Sequence, residues 1–277
     1  MSRRFLKFLE GVVAPAYNYE ASVVQLDGSE KKSLGLGSAP LLSPDGTRVV
    51  YVGPSKDGPS DGLYITDLAS GTRTHLLGTT TGDINSIWSP DGSKIAFTRG
   101  LSSGLIGAPG PYNIMVTNID GSDSRQLTDG TDVNNALAWM PDTNHLLYSV
   151  ASRDGVSLQI MDIQSGEISL LTDVNYNGTV VVSPDGKRLA FEEMLPLDKY
   201  GLFVSNLDGS NRKRLADSDP YIVTVPAWSL DGNWVIASVH DPDTNKHPNP
   251  TLALIRVDTC QIIALRDLSG YVTSWLP

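Results

Sequence analysis

A serine in a Gly-x-Ser-x-Gly context is the first feature of this sequence that could do chemistry. Gly58, Ser60 and Gly62 have the spacing of a nucleophile elbow, in which a strand precedes the serine and a helix follows it. Here the serine lies in the stretch GPSKDGPSDG, whose glycines and prolines are typical of a loop between two strands. No matching histidine context accompanies it, and we predict no catalytic residue in this chain.

Metal binding would require a cluster of histidine and carboxylate side chains. The sequence has four histidines: His75, His145, His240 and His247. The first two fall in predicted strands of different repeats, and the other two share the loop VHDPDTNKHPNP. Residues 241–245 match the first half of a calcium-binding loop, but Lys246 and Leu252 replace the glycine and the glutamate that the pattern requires. We predict no metal site and no cofactor.

The charge of the chain restricts the classes of partner. Lysine and arginine together number 21 against 31 acidic residues, so the formal net charge is −10. A protein that binds the phosphate backbone would show a basic face, and we therefore predict no nucleic-acid partner. The single Cys260 excludes an internal disulfide framework, and no apolar run approaches the roughly 18 residues of a transmembrane segment.

Two short phrases recur along the chain and indicate its architecture. The first joins an apolar pair to a turn and reads LLSPDG, IWSPDG, AWMPDT, VVSPDG and AWSLDG. Its proline position, held by Leu230 in the fifth copy, recurs every 43 to 51 residues. Proline fixes a backbone dihedral at the turn, aspartate bonds nearby backbone, and glycine accepts the positive φ that closes it. The apolar run that follows each turn predicts a buried strand.

The second phrase is a hairpin that lies between copies of the first. Its six copies begin at Ser22, Leu63, Asn113, Ser157, Leu202 and Leu252. Asp-Gly and Ser-Gly pairs within them are typical of two-residue hairpin turns. Each repeat of about 46 residues therefore contains four short strands, which is the content of one propeller blade.

The last residues, YVTSWLP, are the opening of a further copy of the first phrase. Counting from Pro277 through Met1 to Pro44 gives an interval within the range of the others. We therefore predict an all-β fold, a six-bladed β-propeller of four-stranded antiparallel blades that forms one domain over residues 1–277. In this prediction the sixth blade combines the C-terminal strand with N-terminal strands, so both termini are tied into the ring.

Two alternatives concern the ends of the chain. Arg3-Arg4 and the apolar residues after them are also typical of an export signal or a helix, although Lys7 and Glu10 interrupt the apolar stretch. The chain could also be part of a longer polypeptide in which the ring has only a stabilising role.

These phrases resemble those of the TolB-like family of six-bladed propellers. The residues that carry the resemblance are Trp88-Ser89-Pro90-Asp91-Gly92 with Ile95-Ala96-Phe97, and Ile119-Asp120-Gly121 with Arg125-Gln126-Leu127-Thr128. The departures are Leu42 and Val182 at the tryptophan position, and Thr143 and Leu230 inside the turn. The resemblance covers essentially the whole chain, but it does not extend to the separate N-terminal domain of TolB itself.

In a propeller of this kind, the longer connections between strands lie on the face opposite the repeated turns, and binding residues concentrate on such connections. The candidates at the starts of the innermost strands are Asp83, Asn85, Asn134, Asn135, Tyr176, Asn177, Tyr221 and Tyr271. The candidates at the starts of the outgoing loops are Arg99, Arg153, Glu193 and His240. Such a mixture of amides and tyrosines suits peptide or sugar recognition, although asparagine and aspartate also favour turns for backbone reasons.

The resemblance also implies a class of function. The family includes envelope proteins that bind other proteins through the mouth of the ring, and similar propellers form the gating half of prolyl-oligopeptidase-like peptidases or act as polysaccharide lyases. We predict a monomeric, non-catalytic module that binds a protein or peptide, outside the cytoplasm in a bacterial envelope. The alternative is a glycan-active enzyme of the lyase type or the gating domain of a peptidase.

Overall fold

The computed structural model describes residues 5–10, 20–25, 32–36, 38–54, 61–77, 83–100, 111–129, 132–152, 155–172, 180–196, 199–218, 227–239, 251–269 and 272–275. All regular secondary structure within these ranges is β-strand. None of the described residues forms a helix that could cross a membrane. The strands are β1 (Phe5–Glu10), β2 (Glu20–Gln25), β3 (Lys32–Leu36), β4 (Ser38–Leu42), β5 (Arg48–Pro54), β6 (Asp61–Asp67), β7 (Arg73–Leu77), β8 (Asp83–Trp88), β9 (Lys94–Gly100), β10 (Tyr112–Asn118), β11 (Arg125–Gln126), β12 (Val133–Trp139), β13 (His145–Ser152), β14 (Gly155–Asp162), β15 (Ile168–Thr172), β16 (Val180–Val182), β17 (Arg188–Leu195), β18 (Lys199–Asn206), β19 (Lys213–Ser218), β20 (Ala227–Trp228), β21 (Trp234–Val239), β22 (Thr251–Arg256), β23 (Ile262–Ser269) and β24 (Val272–Trp275).

The described strands form five sheets. Four of them have four strands each, in the orders β24-β1-β2-β3, β4-β5-β6-β7, β16-β17-β18-β19 and β20-β21-β22-β23. The fifth sheet has eight strands and consists of two antiparallel groups, β8 to β11 and β12 to β15, joined by one parallel pair between Tyr112 and Val133. The predicted pairing of the C-terminal strand with the N-terminal strands is present, because β24 pairs with β1 and places Trp275 opposite Leu6.

The chain divides into two compact units, each with its own core. One unit contains residues 174–277 with β1 and β2, and its core lies between β16–β19 and β20–β23, where Trp228 shares a buried cluster with Leu202 and Ile255. The other unit contains β4 to β15. In it, one core lies between β4–β7 and β8–β11, and a second lies between β8–β11 and β12–β15. In all three cores, two neighbouring groups of four strands pack face to face.

In the five groups of four strands that begin with β4, β8, β12, β16 and β20, the second strand is buried on both faces, as the apolar runs after the turns predict. Val49 and Val50 are fully buried in β5, and Tyr51 is 1% exposed. Ile95, Ala96 and Phe97 are likewise fully buried in β9. A strand covered on both sides has no polar face, so its sequence is a continuous apolar run instead of an alternating one.

The repeated turns are stabilised by one local hydrogen-bond network. In the first copy, Ser43 Oγ donates to Asp45 Oδ1 at 2.6 Å and accepts from the Arg48 amide at 2.9 Å. The Gly46 amide donates to the Ser43 carbonyl at 2.9 Å, and Gly46 has φ of 72°. The same bonds recur in the turns at 89–94, 183–188 and 229–234. Each turn therefore forms from bonds that span no more than five residues.

The two turns whose sequences depart from the pattern also form. Leu230 stands at the proline position with its side chain exposed, and the Gly232 amide still donates to the Ser229 carbonyl at 2.8 Å. Thr143 stands at the glycine position, where its amide donates to the Met140 carbonyl at 3.1 Å and its φ is 63°. A β-branched residue in the left-handed region is strained, because its Cβ crowds the backbone.

We expect Thr143→Gly to stabilise the protein. Relief of the left-handed strain outweighs the greater backbone entropy of glycine in the unfolded chain, for a net gain of about 1 kcal/mol in the free energy of unfolding. Urea unfolding followed by tryptophan fluorescence measures the change. The control is Thr47→Gly, because Thr47 does not have a positive φ and its hydroxyl and amide both bond Asp45. The control should lower the free energy of unfolding. If Thr143→Gly lowered it as well, the interpretation that Thr143 is strained would be wrong.

Candidate binding site

The candidate site is built on β8 and β12, the first strands of the two groups in the eight-stranded sheet, which lie against each other. The pairing of β8 with β9 shifts register between Ile84 and Ile87, so Asn85 and Ser86 fall in an irregular stretch of the ladder. Asn85 has φ of 52° and an exposed side chain. Irregularities of this kind redirect side chains, and asparagine adopts positive φ more readily than most residues.

The structure brings together two of the predicted binding residues that are 50 positions apart in sequence. Asn85 Nδ2 donates to Asn135 Oδ1 at 3.1 Å. The same oxygen accepts a second hydrogen bond, at 3.4 Å, from the hydroxyl of the fully buried Thr98. Thr98 Oγ1 in turn accepts from the Ala136 amide at 3.1 Å. A chain of hydrogen bonds therefore runs from the backbone of β12 through β9 to the exposed Asn85.

This series of hydrogen bonds determines how the side-chain amides of Asn85 and Asn135 are oriented. The buried hydroxyl proton of Thr98 needs an acceptor, and Asn135 Oδ1 is the acceptor that the structure provides. With two donors converging on its oxygen, Asn135 directs its Nδ2 group elsewhere. No hydrogen bond from the described residues reaches Asn135 Nδ2 or Asn85 Oδ1. As far as the described residues are concerned, the pair therefore retains one acceptor group and one donor group for a ligand.

The next residue of β8, Ser86, has a polar atom that no described residue satisfies. Its side chain is 6% exposed, and Ser86 Oγ has no hydrogen-bond partner among the residues that the structure describes. Buried hydroxyl groups in folded proteins normally have a partner, because losing water without a replacement bond costs about 1–3 kcal/mol. An unpaired hydroxyl directly after the exposed Asn85 indicates a strand segment with spare hydrogen-bonding capacity.

The neighbouring Asn134 lies outside the Asn85–Asn135 pair. It is 5% exposed, and its Nδ2 group donates to the carbonyls of Tyr112 and Asp132 at 3.1 and 3.3 Å. These bonds hold β12 beside β10, where Tyr112 forms the parallel pair with Val133. Successive residues of a strand point to opposite faces, so Asn134 and Asn135 cannot both belong to the amide pair.

Arg99 lies inside β9 and not in a loop. Its backbone pairs with Asp83 of β8 on one side and with Asn113 of β10 on the other. Its guanidinium carbon lies 5.2 Å from the ring centroid of Phe97, two residues earlier on the same face of the strand. Asp83 is the first residue of β8, and its side chain lies outside the described part of the structure.

Glu193 lies within β17, which continues to Leu195, and β18 begins at Lys199. The prediction that Glu193 starts an outgoing loop is therefore wrong, because the strand continues beyond it. The Glu193 carboxylate forms an ion pair with Arg212, whose guanidinium carbon lies 4.1 Å from the ring centroid of Phe203.

The remaining predicted binding residues fall outside the described residues. They are Arg153, Tyr176, Asn177, Tyr221, His240 and Tyr271. In the ranges that are described, no three histidine, cysteine, aspartate or glutamate side chains are grouped so that they could hold a metal ion.

The structure adds residues that the sequence analysis did not single out. Thr98 orients the amide pair, Ser86 follows Asn85 in β8 with an unpaired hydroxyl, and Arg212 is the partner of Glu193. Thr98 is the first polar residue after the apolar run Ile95–Phe97 of a buried strand, and this was the available signal. No sequence pattern distinguishes Ser86 from an ordinary strand serine.

Comparison with known proteins identifies related chains. A family model described as "TolB beta propeller domain" matches residues 23–229, which is more than half of the chain. The chain is also 26% identical over 215 residues to an uncharacterized peptidase, YuxL, of Bacillus subtilis (strain 168). This alignment covers 76% of the chain but only 30% of the length of that relative.

Solved structures with the same fold include a TolB protein and an oligogalacturonate lyase. The crystal structure of TolB from Acinetobacter baumannii has a TM-score of 0.79 and 20% identity, and the match covers 100% of this chain and 67% of the TolB chain. An oligogalacturonate lyase in complex with manganese has a TM-score of 0.64 and 18% identity, covering 89% of this chain and 73% of the lyase. At these identities the likeness concerns the fold alone.

Proposed function

The chain belongs to the TolB β-propeller domain family, and we propose that it is a non-catalytic propeller that binds a protein or peptide at the ends of its innermost strands. The observation that supports this role is the Asn85–Asn135 pair, which a buried threonine holds in place while no described residue uses the rest of its hydrogen-bonding capacity. Neutral amides arranged in this way bind and orient a ligand, but they provide no nucleophile, acid or base for a reaction.

The finer architecture belongs to the same proposal. We infer six blades in one domain over residues 1–277, with the eight-stranded sheet counted as two blades. The sixth blade is then the sheet β24-β1-β2-β3. The sequence spacing of 43 to 51 residues between turns supports this count, because every interval has room for four strands.

The proposed binding surface includes predicted residues from several repeats. Besides the Asn85–Asn135 pair, it comprises Asp83, Arg99, Asn134, Arg153, Tyr176, Asn177, Glu193, Tyr221, His240 and Tyr271. Tyrosine contributes a large, rigid contact area with a polar tip, which suits the binding of a polypeptide. The net charge of −10 supports a neutral or cationic partner over a nucleic acid. We propose a monomer located outside the cytoplasm.

A second candidate is the propeller portion of a longer peptidase. It is supported by the similarity to the B. subtilis peptidase, of which this chain matches only 30%. In that case the propeller would admit or exclude peptide substrates, and the catalytic residues would lie elsewhere in the polypeptide. A glycan-active lyase is supported by fold likeness alone.

A pull-down from extract of the source cells tests the proposed function. The purified chain serves as bait, beside a variant with Tyr176, Tyr221 and Tyr271 all replaced by alanine. We expect a protein or peptide that the first bait retains and the variant loses by at least tenfold, as judged by quantitative mass spectrometry. A partner retained equally by both baits would place the contact on another face. Turnover of oligosaccharides by the isolated chain would overturn the non-catalytic role.

A further inference from the structure

We propose that the Asn85–Asn135 pair is a docking point for an amide group, supplied by the main chain of an extended peptide or by an asparagine or glutamine side chain. This inference rests on the proposed function and specifies which chemical group the site recognises. In it, Asn85 Oδ1 accepts a hydrogen bond from the amide N–H, and Asn135 Nδ2 donates to the amide carbonyl.

The chemistry of the two carboxamides favours an amide over a purely anionic or purely cationic ligand. Asn85 uses its Nδ2 group to bond Asn135, so the oxygen of Asn85 is left as an acceptor. Asn135 uses its oxygen twice, so its Nδ2 group is left as a donor. A carboxylate or phosphate offers acceptors only and would leave Asn85 Oδ1 without a partner, whereas an ammonium group offers donors only. An amide offers one of each on separate atoms.

An extended peptide presents these groups in a suitable arrangement. In a β-strand the N–H and C=O of one residue point to the same side, which is how antiparallel strands exchange two bonds between opposed residues. A single residue of a bound peptide can therefore satisfy both carboxamides at once. Recognition of main chain by fixed polar groups is a common basis for binding extended peptides of varied sequence.

The pair is also organised before any ligand arrives. Thr98 is fully buried and is anchored to the Ala136 amide, so the orientation of Asn135 is determined by the core and not by solvent. Asn85 is held at φ of 52° in the register shift of β8. Because little side-chain freedom remains to be lost, each hydrogen bond to a ligand retains more of its free energy.

The test uses acetylated and amidated heptapeptides, which have no terminal charge, selected from a random library on the purified full chain. Each selected peptide is remade with one backbone N-methyl group at every position in turn, and separately with alanine for each asparagine or glutamine. Dissociation constants are measured by calorimetry for the unmodified chain, Asn85→Gly and Asn135→Ala. Glycine is chosen at position 85 because it tolerates positive φ. The controls are Asn211→Gly, where Asn211 has φ of 51° and is exposed, and Asn144→Ala, also at an exposed position.

We expect Asn85→Gly and Asn135→Ala each to weaken binding about fivefold, the value of one lost hydrogen bond. One N-methyl position should weaken binding to the unmodified chain by a similar factor and should have no further effect in Asn85→Gly, because the bond to Asn85 Oδ1 is already absent there. An alanine replacement of a docked asparagine or glutamine removes both bonds, so it should weaken binding to the unmodified chain about 25-fold and binding to Asn85→Gly about fivefold. The first pattern identifies a main-chain amide, and the second identifies a side-chain amide. Both controls should bind like the unmodified chain.

Peptides that bind all variants equally would overturn the amide docking point while leaving the proposed function intact. The amide docking point would also be overturned if the protein retained a partner in the pull-down but bound no heptapeptide. A chain that binds neither peptide nor protein, but is positive on a glycan array, would overturn both the docking point and the proposed function.

Discussion

Replacing Trp228 by alanine is expected to lower the free energy of unfolding by about 4 kcal/mol, as removal of a buried aromatic side chain usually does. Trp228 is 6% exposed and shares a buried cluster with residues of two neighbouring sheets. Its indole N–H donates to the Val181 carbonyl at 3.2 Å, and the guanidinium carbon of Arg188 lies 4.8 Å from its ring. The side chain thus joins β20 to β16 through both packing and a hydrogen bond.

The same contact occurs twice in the other unit. Trp88 Nε1 donates to the Leu41 carbonyl at 3.0 Å, and Trp139 Nε1 donates to the Ile87 carbonyl at 3.3 Å. In each case the acceptor belongs to the preceding copy of the repeated phrase, directly before the position that corresponds to the tryptophan. The tryptophan of the repeat therefore connects one group of four strands to the next, through packing and one hydrogen bond.

Denaturant unfolding of three variants tests this interpretation. Trp228→Phe keeps most of the packing and loses the hydrogen bond, so we expect a smaller loss of about 1 kcal/mol. Trp234→Ala is the control, because Trp234 is only half-buried and begins the next strand. A loss below about 2 kcal/mol for Trp228→Ala, or one no larger than that of the control, would contradict the connecting role.

Acid is expected to destabilise the fold steeply between about pH 5 and pH 2. The hydroxyl of the preceding serine lowers the pKa of Asp91, Asp185 and Asp231, in the last case to about 2. In the hairpins, a serine two residues later lowers the pKa of Asp120 and Asp208. These carboxylates keep their charge in the folded protein at pH values where the unfolded chain takes up protons.

The direction follows from proton linkage. Each lowered pKa contributes stability that is complete above the unfolded value, close to pH 4, and is lost as the pH falls through the folded value. Unfolding at about pH 3 should therefore take up on the order of three protons per molecule. The measurement is the free energy of unfolding in urea as a function of pH. A free energy that stays constant from pH 5 to pH 2.5 would contradict the expectation.

Single variants of the turn at 229–234 test whether its carboxylate contributes to the loss of stability in acid. In Ser229→Ala the main cause of the low pKa of Asp231 is removed, so that pKa rises and the stability curve becomes flatter in acid. Asp231→Asn keeps an oxygen that can accept the turn bonds but cannot titrate, and it should flatten the curve similarly. The exposed Ser124→Ala is the control and should leave the slope unchanged.

The sequence alone determined the all-β class, the position of the repeated turns and the buried second strand of each group. It also predicted that the C-terminal strand pairs with N-terminal strands, and β24 pairs with β1. These features were accessible because their causes are local. The turn bonds from Ser43 to Arg48 span five residues, and an apolar run is buried wherever two sheets pack against it.

The tertiary structure decided which polar residues of distant repeats meet. Nothing in the sequence distinguishes Asn85, Asn134 and Asn135 from one another. In the structure, Asn85 pairs with Asn135, whereas Asn134 donates to the Tyr112 carbonyl. Glu193 was predicted at the start of a loop, and the structure places it in a strand beside Arg212. Such contacts depend on how the sheets pack and on where the pairing of two strands shifts register. Sheet packing and register are determined by many long-range contacts together, and no short stretch of sequence encodes them.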